Sequence, residues 1–148
     1  MIPAPPLSPL RRAAVEGYVR ELRNALGLGH WSILLPDEYP SDDPEGVWAE
    51  ITPTEGRYRA KLRFGTGFFE LDAEETRNTI VHELLHLHFN RAGDVVRLGP
   101  YRQELGQTLY NSLHEQVKTE IEYGIDALAT IIAKRLPLPL EKWPDAAE

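Results

Sequence analysis

Two histidines and a glutamate stand in the order His82-Glu83-Leu84-Leu85-His86, a spacing suited to metal chemistry. On a helix, residues four apart lie on one face, one turn apart. Both imidazoles can then reach a single ion at about 2.0–2.1 Å. Glu83 flanks the same face. It is poorly placed to be a third ligand but can reach a water on the metal, whose pKa zinc lowers towards ~7 so that a carboxylate can take the proton. This is the H-E-x-x-H arrangement. Its flanks, Ile80, Val81, Leu84, Leu85, Leu87 and Phe89, are apolar. Two histidines and a glutamate are costly to bury in such a setting without a partner. A metal supplies one, whereas ordinary helix histidines would lack it.

A catalytic zinc site needs a third protein ligand and one open position. His88 is only two residues past His86, about 200° round the helix, so it points away. No histidine follows at the short spacing of the H-E-x-x-H-x-x-G-x-x-H enzymes. The next candidates are downstream: Glu115, Thr119, Glu122 and Asp126 fall on one helical stripe, with Leu113, Val117, Ile121, Ile125, Leu128 and Ile132 on the other side. The carboxylate stripe is therefore expected to face the motif helix. Glu122 is the chosen third ligand over Glu115 and Glu120, because it alone has a carboxylate, Asp126, one turn on. Asp126 can accept the far N–H of His82 or His86, which fixes the tautomer and makes the ring a better ligand.

The elements that must position these groups are legible in part. Ser8-Pro9 is a helix start, with serine as cap and proline at the first helical position. Leu10, Ala14, Val15, Tyr18, Val19, Leu22, Ala25 and Leu26 then recur at helical spacing until Gly27 and Gly29. Trp31 to Leu35 and Val47 to Thr52 are expected strands, with a loop over 36–46. Arg57 to Phe64 alternates basic and apolar residues, as a half-buried antiparallel strand does. Phe68 to Leu71 is expected to add a short strand. Asp72 with Glu75 forms a capping-box-like start. The helix that follows is expected to run from about Ala73 to Arg91 and to end at Gly93. Pro100 opens a final helical stretch to about Leu136. As one rod this would be ~54 Å long at 1.5 Å per residue, so a break is expected near Gly106 or Tyr110–Asn111.

The 148 residues, 42% of them hydrophobic, suffice for one domain with its own core. A proline-rich leader covers residues 1–8, and it could occupy an active-site groove. There is no cysteine, which excludes disulfides, thiolate metal sites and cysteine nucleophiles and fits a reducing cytoplasm. A net charge of −7 argues against general nucleic-acid binding. The Arg57-Arg59-Lys61-Arg63 face is therefore read as a solvated sheet face or an edge guard, rather than as a shelf for an acidic ligand. Neither a signal peptide nor a membrane span is expected.

With His82-Glu83-Leu84-Leu85-His86 and Glu122-Tyr123-Gly124-Ile125-Asp126 in hand, the chain resembles the gluzincins, zinc metallopeptidases with H-E-x-x-H on one helix and E-x-x-x-D on the next. The run from Glu122 through Leu128-Ala129 and Ile131-Ile132 to Pro137 is similar to the minimal, often phage-borne, ImmA/IrrE-type metallopeptidases. That family usually has Ala-Asn where this chain has Ile125-Asp126. The resemblance implies an α+β, zincin-like fold: a small, mostly antiparallel sheet of three or four strands beside an active-site helix, with an N-terminal helix and a C-terminal helical segment. It implies Zn2+ held by His82, His86 and Glu122, with Glu83 as general base and later acid. An extended peptide or protein substrate would run along an edge strand, and the target could be a single protein such as a repressor. Tyr101, Tyr110, His114 and Tyr123 are oxyanion-donor candidates by residue type alone. Two other classes stay open: a zincin-fold binding or regulatory protein without significant turnover, and a metal-free helical interaction module.

Overall fold

A computed structural model describes residues 7–41 and 43–144. Most of the proline-rich leader, residues 1–6, lies outside the described residues, and with it the idea that the leader fills a groove. Helix α1 spans Pro9–Ala25, and the Ser8 side chain accepts from Arg11 N–H at its start. Val15, Tyr18, Val19 and Leu22 form its buried stripe, whereas Leu10 is exposed.

Three strands follow: β1 (Ser32–Leu34), β2 (Ala49–Pro53) and β3 (Arg59–Phe64). Their order in the sheet is β1-β3-β2. The β2–β3 pair is antiparallel, as alternation led one to expect, but β1 runs parallel to β3. The sheet is thus mixed rather than mostly antiparallel. Periodicity within a strand reports which faces are buried; it carries no information about strand direction. On β3, Ala60, Leu62 and Phe64 point into the core and Arg59 and Lys61 into solvent. Because β3 is central, its basic residues form a solvated sheet face and guard no edge; Arg63 on this face pairs with Glu38 and Glu50. A Cβ on Gly65 would meet the Val47 carbonyl oxygen, so only glycine permits the turn out of β3.

Phe68–Glu70 is a single 3-10 turn, not a strand. Phe64, Phe68 and Phe69 pack ring against ring there, and burial of these aromatics needs no strand pairing. Helix α2 spans Ala73–Leu98 and opens with the reciprocal Asp72–Glu75 capping box. It runs through Gly93 and ends at Gly99. A glycine costs an exposed helix only about 1 kcal/mol relative to alanine, too little to stop one whose neighbours continue. Helix α3 spans Tyr101–Ala133 and is broken at Gly106, whose φ of 74° and ψ of 167° lie far from helical values.

The core joins α1, the inner faces of β2 and β3, the first half of α2, and Ile125, Ala129 and Ala133 of α3. The chain beyond α3 folds back over α1 and the start of α2. Tyr18 donates to the Pro137 carbonyl, Arg77 donates to that of Leu136, and Trp143 is buried against Tyr18 and Phe69. The start of α2 and the end of α3 are thereby tied together, which fixes how the middle of one helix faces the other. Among the described residues, no helix is long and apolar enough to cross a membrane.

Candidate metal centre

On α2, Ile80, Val81, Leu84 and Leu85 are buried and fix the rotation of the helix about its axis. His82, Glu83 and His86 then fall on its flank, towards β2 and α3. On α3, Ile125 and Ala129 are buried against α2, and Glu122 and Asp126 stand beside them. The carboxylate stripe does not face α2 as a whole. Glu115 and Thr119 are exposed, because Val117, Ile121 and Ile125 pull a neighbouring strip inward and leave only the Glu122–Asp126 end at the contact.

Three side chains converge. His82 Nε2 and His86 Nε2 are 3.3 Å apart. Glu122 places one carboxylate oxygen 3.4 Å from His82 Nε2 and the other 3.1 Å from His86 Nε2. His82 Nδ1 lies 2.9 Å from Asp126 Oδ1. A carboxylate can hold that nitrogen only if it carries the proton, so neutral His82 turns its Nε2 lone pair to the centre. The cluster therefore joins an imidazole lone pair, a carboxylate and a second imidazole. A single proton on His86 could relieve one of these edges at a time; a cation relieves all three.

The spacing is itself a test of fit. An ion bound tetrahedrally at about 2.0–2.1 Å has ligand–ligand edges of roughly 3.3–3.4 Å. The two imidazole nitrogens stand at that separation, 3.3 Å, and the Glu122 carboxylate straddles them, one oxygen 3.4 Å from His82 Nε2 and the other 3.1 Å from His86 Nε2. His82, His86 and Glu122 form a group that could hold a metal ion, with three protein donors.

Glu83 takes a different position. One carboxylate oxygen accepts the backbone N–H of Ile51 at 2.9 Å, and the other is 3.9 Å from His82 Nε2. The strand β2, at the edge of the sheet, thus holds Glu83 from behind and turns its free oxygen to the centre. Burial pushes the Glu83 carboxyl up to about 8; the Ile51 N–H opposes the shift, and the charges of Glu122 and Glu50 add to it. Burial is also the main cause that lowers the His86 pKa, with Glu122 opposing it and His82 acting in the same direction as burial.

Two grooves open on either side. One, of about 390 Å³, is lined by Trp48, Asn78, Thr79, His82, Glu83 and Asp126 among others. The other, of about 250 Å³, has Ile51, Phe89, His86, Glu122, Val117 and Ile121 in its wall. β2 runs past both: Trp48 and Ala49 border the first groove, Ile51 and Pro53 the second.

The oxyanion candidates separate. His114 lines the second groove and stacks on Tyr110, whereas Tyr101 and Tyr123 are exposed and line neither groove. His88 faces the other way, with Nε2 2.8 Å from the Leu26 carbonyl oxygen. Asn78 and Thr79 escaped the sequence reading, although each sits one turn before a motif residue, His82 and Glu83, and the helical period alone could have found them. The Ile51 contact had no local signal, since it depends on where the β2 edge falls against α2.

Comparison with known proteins adds no relative: no family model fits the chain, and neither a curated protein nor a solved structure matches it.

Proposed function

We propose that this chain is a zinc-dependent peptide hydrolase of the gluzincin type, zincin-like in fold, with His82, His86 and Glu122 as ligands and Glu83 as general base. The observation that supports this best is the convergence of His82, His86 and Glu122, whose donor atoms lie within 4.8 Å of one another, with the two imidazole nitrogens 3.3 Å apart, near the edge expected for zinc's bond distances. Two imidazoles and one carboxylate with an open position are a donor set that suits zinc. Bound there, zinc would supply Lewis acidity towards a scissile carbonyl and a lowered pKa for water.

The remaining work falls to the chain's own groups. Asp126 holds the His82 proton at Nδ1 and keeps Nε2 free. Ile51 N–H fixes one oxygen of Glu83, so the other can take a proton from water and pass it to the leaving amine. A carboxyl raised to about 8 keeps its proton readily near neutral pH, which suits the donor half of that cycle; a nearby cation would favour the ionised half. β2 is the edge strand beside the centre, with its Ile51 N–H taken by Glu83, and the grooves at its two ends give an extended peptide room for side chains on both sides of the bond. A narrow protein target and a cytoplasmic setting are part of the same proposal.

The test is a paired measurement on Glu83→Gln. It should retain zinc with wild-type stoichiometry and lose cleavage of a peptide library by 10²-fold or more, on the order expected for removal of a general base. Equal cleavage by wild type and variant would refute the assignment of Glu83.

A further inference from the structure

The side of α3 that faces away from the core carries a pattern of its own. Ile125, Ala129 and Ala133 are buried. On the opposite side Glu120, Tyr123, Gly124, Ala127, Ile131 and Lys134 are all exposed. At 100° per residue these six lie within about 60° of Ala127. Two are large and apolar, and the structure leaves Tyr123 67% and Ile131 60% exposed. Within one chain neither Glu120 nor Lys134 has an ion-pair partner among the described residues.

Glu120 and Lys134, and Tyr123 and Ile131, are placed symmetrically about Ala127, and Gly124 is mirrored by Thr130. When two copies of one helix pack antiparallel about a two-fold axis, residue i of one lies level with residue 254 − i of the other if the axis passes Ala127. Ala127 then meets Ala127, and the small residues Ala127 and Gly124 let the helices approach to about 8 Å, the short end of the usual range. Tyr123 meets Ile131, apolar on apolar, at two equivalent places. Glu120 meets Lys134, opposite charges, again twice. A parallel arrangement would instead set Glu120 against Glu120 and Lys134 against Lys134.

We propose that this outer face of α3 is the interface of an antiparallel homodimer, with a second copy of this chain as its occupant. The matching of charge and of side-chain size under the two-fold selects a copy of the same chain over an unrelated partner. The arrangement braces α3 from behind, on the side opposite Glu122 and Asp126. One helix pair buries less than the roughly 800 Å² per partner of a standard stable interface, so the dimer should dissociate on dilution.

The proposal does not depend on metal binding or on turnover. Sedimentation equilibrium over 1–500 μM should show the wild type passing from the 16.8 kDa chain to twice that mass. Ala127→Arg, a good helix former at an exposed position, should remain monomeric throughout, with the circular dichroism spectrum and Tm of the dilute, monomeric wild type. Glu120→Lys and Lys134→Glu should each weaken the dimer at least several-fold, and the double charge reversal should restore it. A wild type that stays monomeric at 500 μM, a dimer indifferent to Ala127→Arg, or a double reversal no tighter than the single ones would each overturn the proposal. The first of these would leave the face to a different partner.

Discussion

The α2–α3 hairpin has two halves that behave differently. In the half next to the sheet, Ile80, Val81, Leu84, Leu85, Ile125 and Ala129 are buried, and the helices are tied at their far ends by the Arg77 bond to Leu136. In the outer half every residue from 101 to 109 is exposed; Val96 and Tyr110 are the buried ones there, and α3 is broken at Gly106. All three candidate ligands, Glu83 and Asp126 lie in the first half. A metal centre has to hold its donors to a few tenths of an ångström, and packed side chains can do that where solvated helices cannot. The outer half, with few buried side chains, lacks that packing.

Substitutions can break this contrast or sharpen it. The largest effect on chemistry is expected at Glu83, as stated above. The largest effect on the fold should come from Leu84→Ala, which opens a cavity in the packed half and should cost about 2–5 kcal/mol. Urea denaturation of the metal-free protein measures it.

A pH series on the same metal-free protein should show a second effect of comparable size. Glu83 has a folded-state pKa raised to about 8 from 4.5. Its contribution to stability is whole below the unfolded value and is lost as pH rises through the folded one. Wild type and Glu83→Gln should therefore match near pH 4. By pH 8 the variant should be the more stable of the two, by an amount on the order of a few kcal/mol. Equal pH profiles would mean that Glu83 is ionised in the metal-free fold.

Asp126→Asn should keep the shape but lose the charge that holds the His82 proton, and metal affinity or activity should fall about 10–100-fold, read by competition with a chelator. The smallest effect is expected in the outer half. Leu109→Ser, at a residue 61% exposed, should change stability by no more than about 0.5 kcal/mol. A loss like that of Leu84→Ala would show that the outer half is packed in solution, and the contrast would fail.

The α2 residues of the candidate centre were legible because their relation is local. His82, Glu83 and His86 need only the helical period, and the Asp72–Glu75 box and the Ser8 cap are read from neighbours in sequence. Glu122 was reachable as the third candidate because Asp126, one turn later, distinguished it from Glu115 and Glu120. What the sequence did not disclose was non-local. The parallel sense of β1 depends on how the chain returns across the sheet. The hold of Ile51 on Glu83 depends on the position of an edge strand. The extension of α2 through Gly93 to Leu98 turns on a small helix penalty that one residue cannot decide. Phe68 to Leu71 misled for a related reason, since an apolar run reports burial and leaves the backbone conformation open.

The most direct measurement is the metal content of untagged protein, wild type beside Glu122→Ala, after equilibration with zinc and removal of free ion. The cluster predicts about one zinc per wild-type chain and a large loss in the variant, in which two imidazoles must hold the ion without the carboxylate. Wild type without metal above background, or a variant that retains a full equivalent, would contradict the convergence of His82, His86 and Glu122 on one ion.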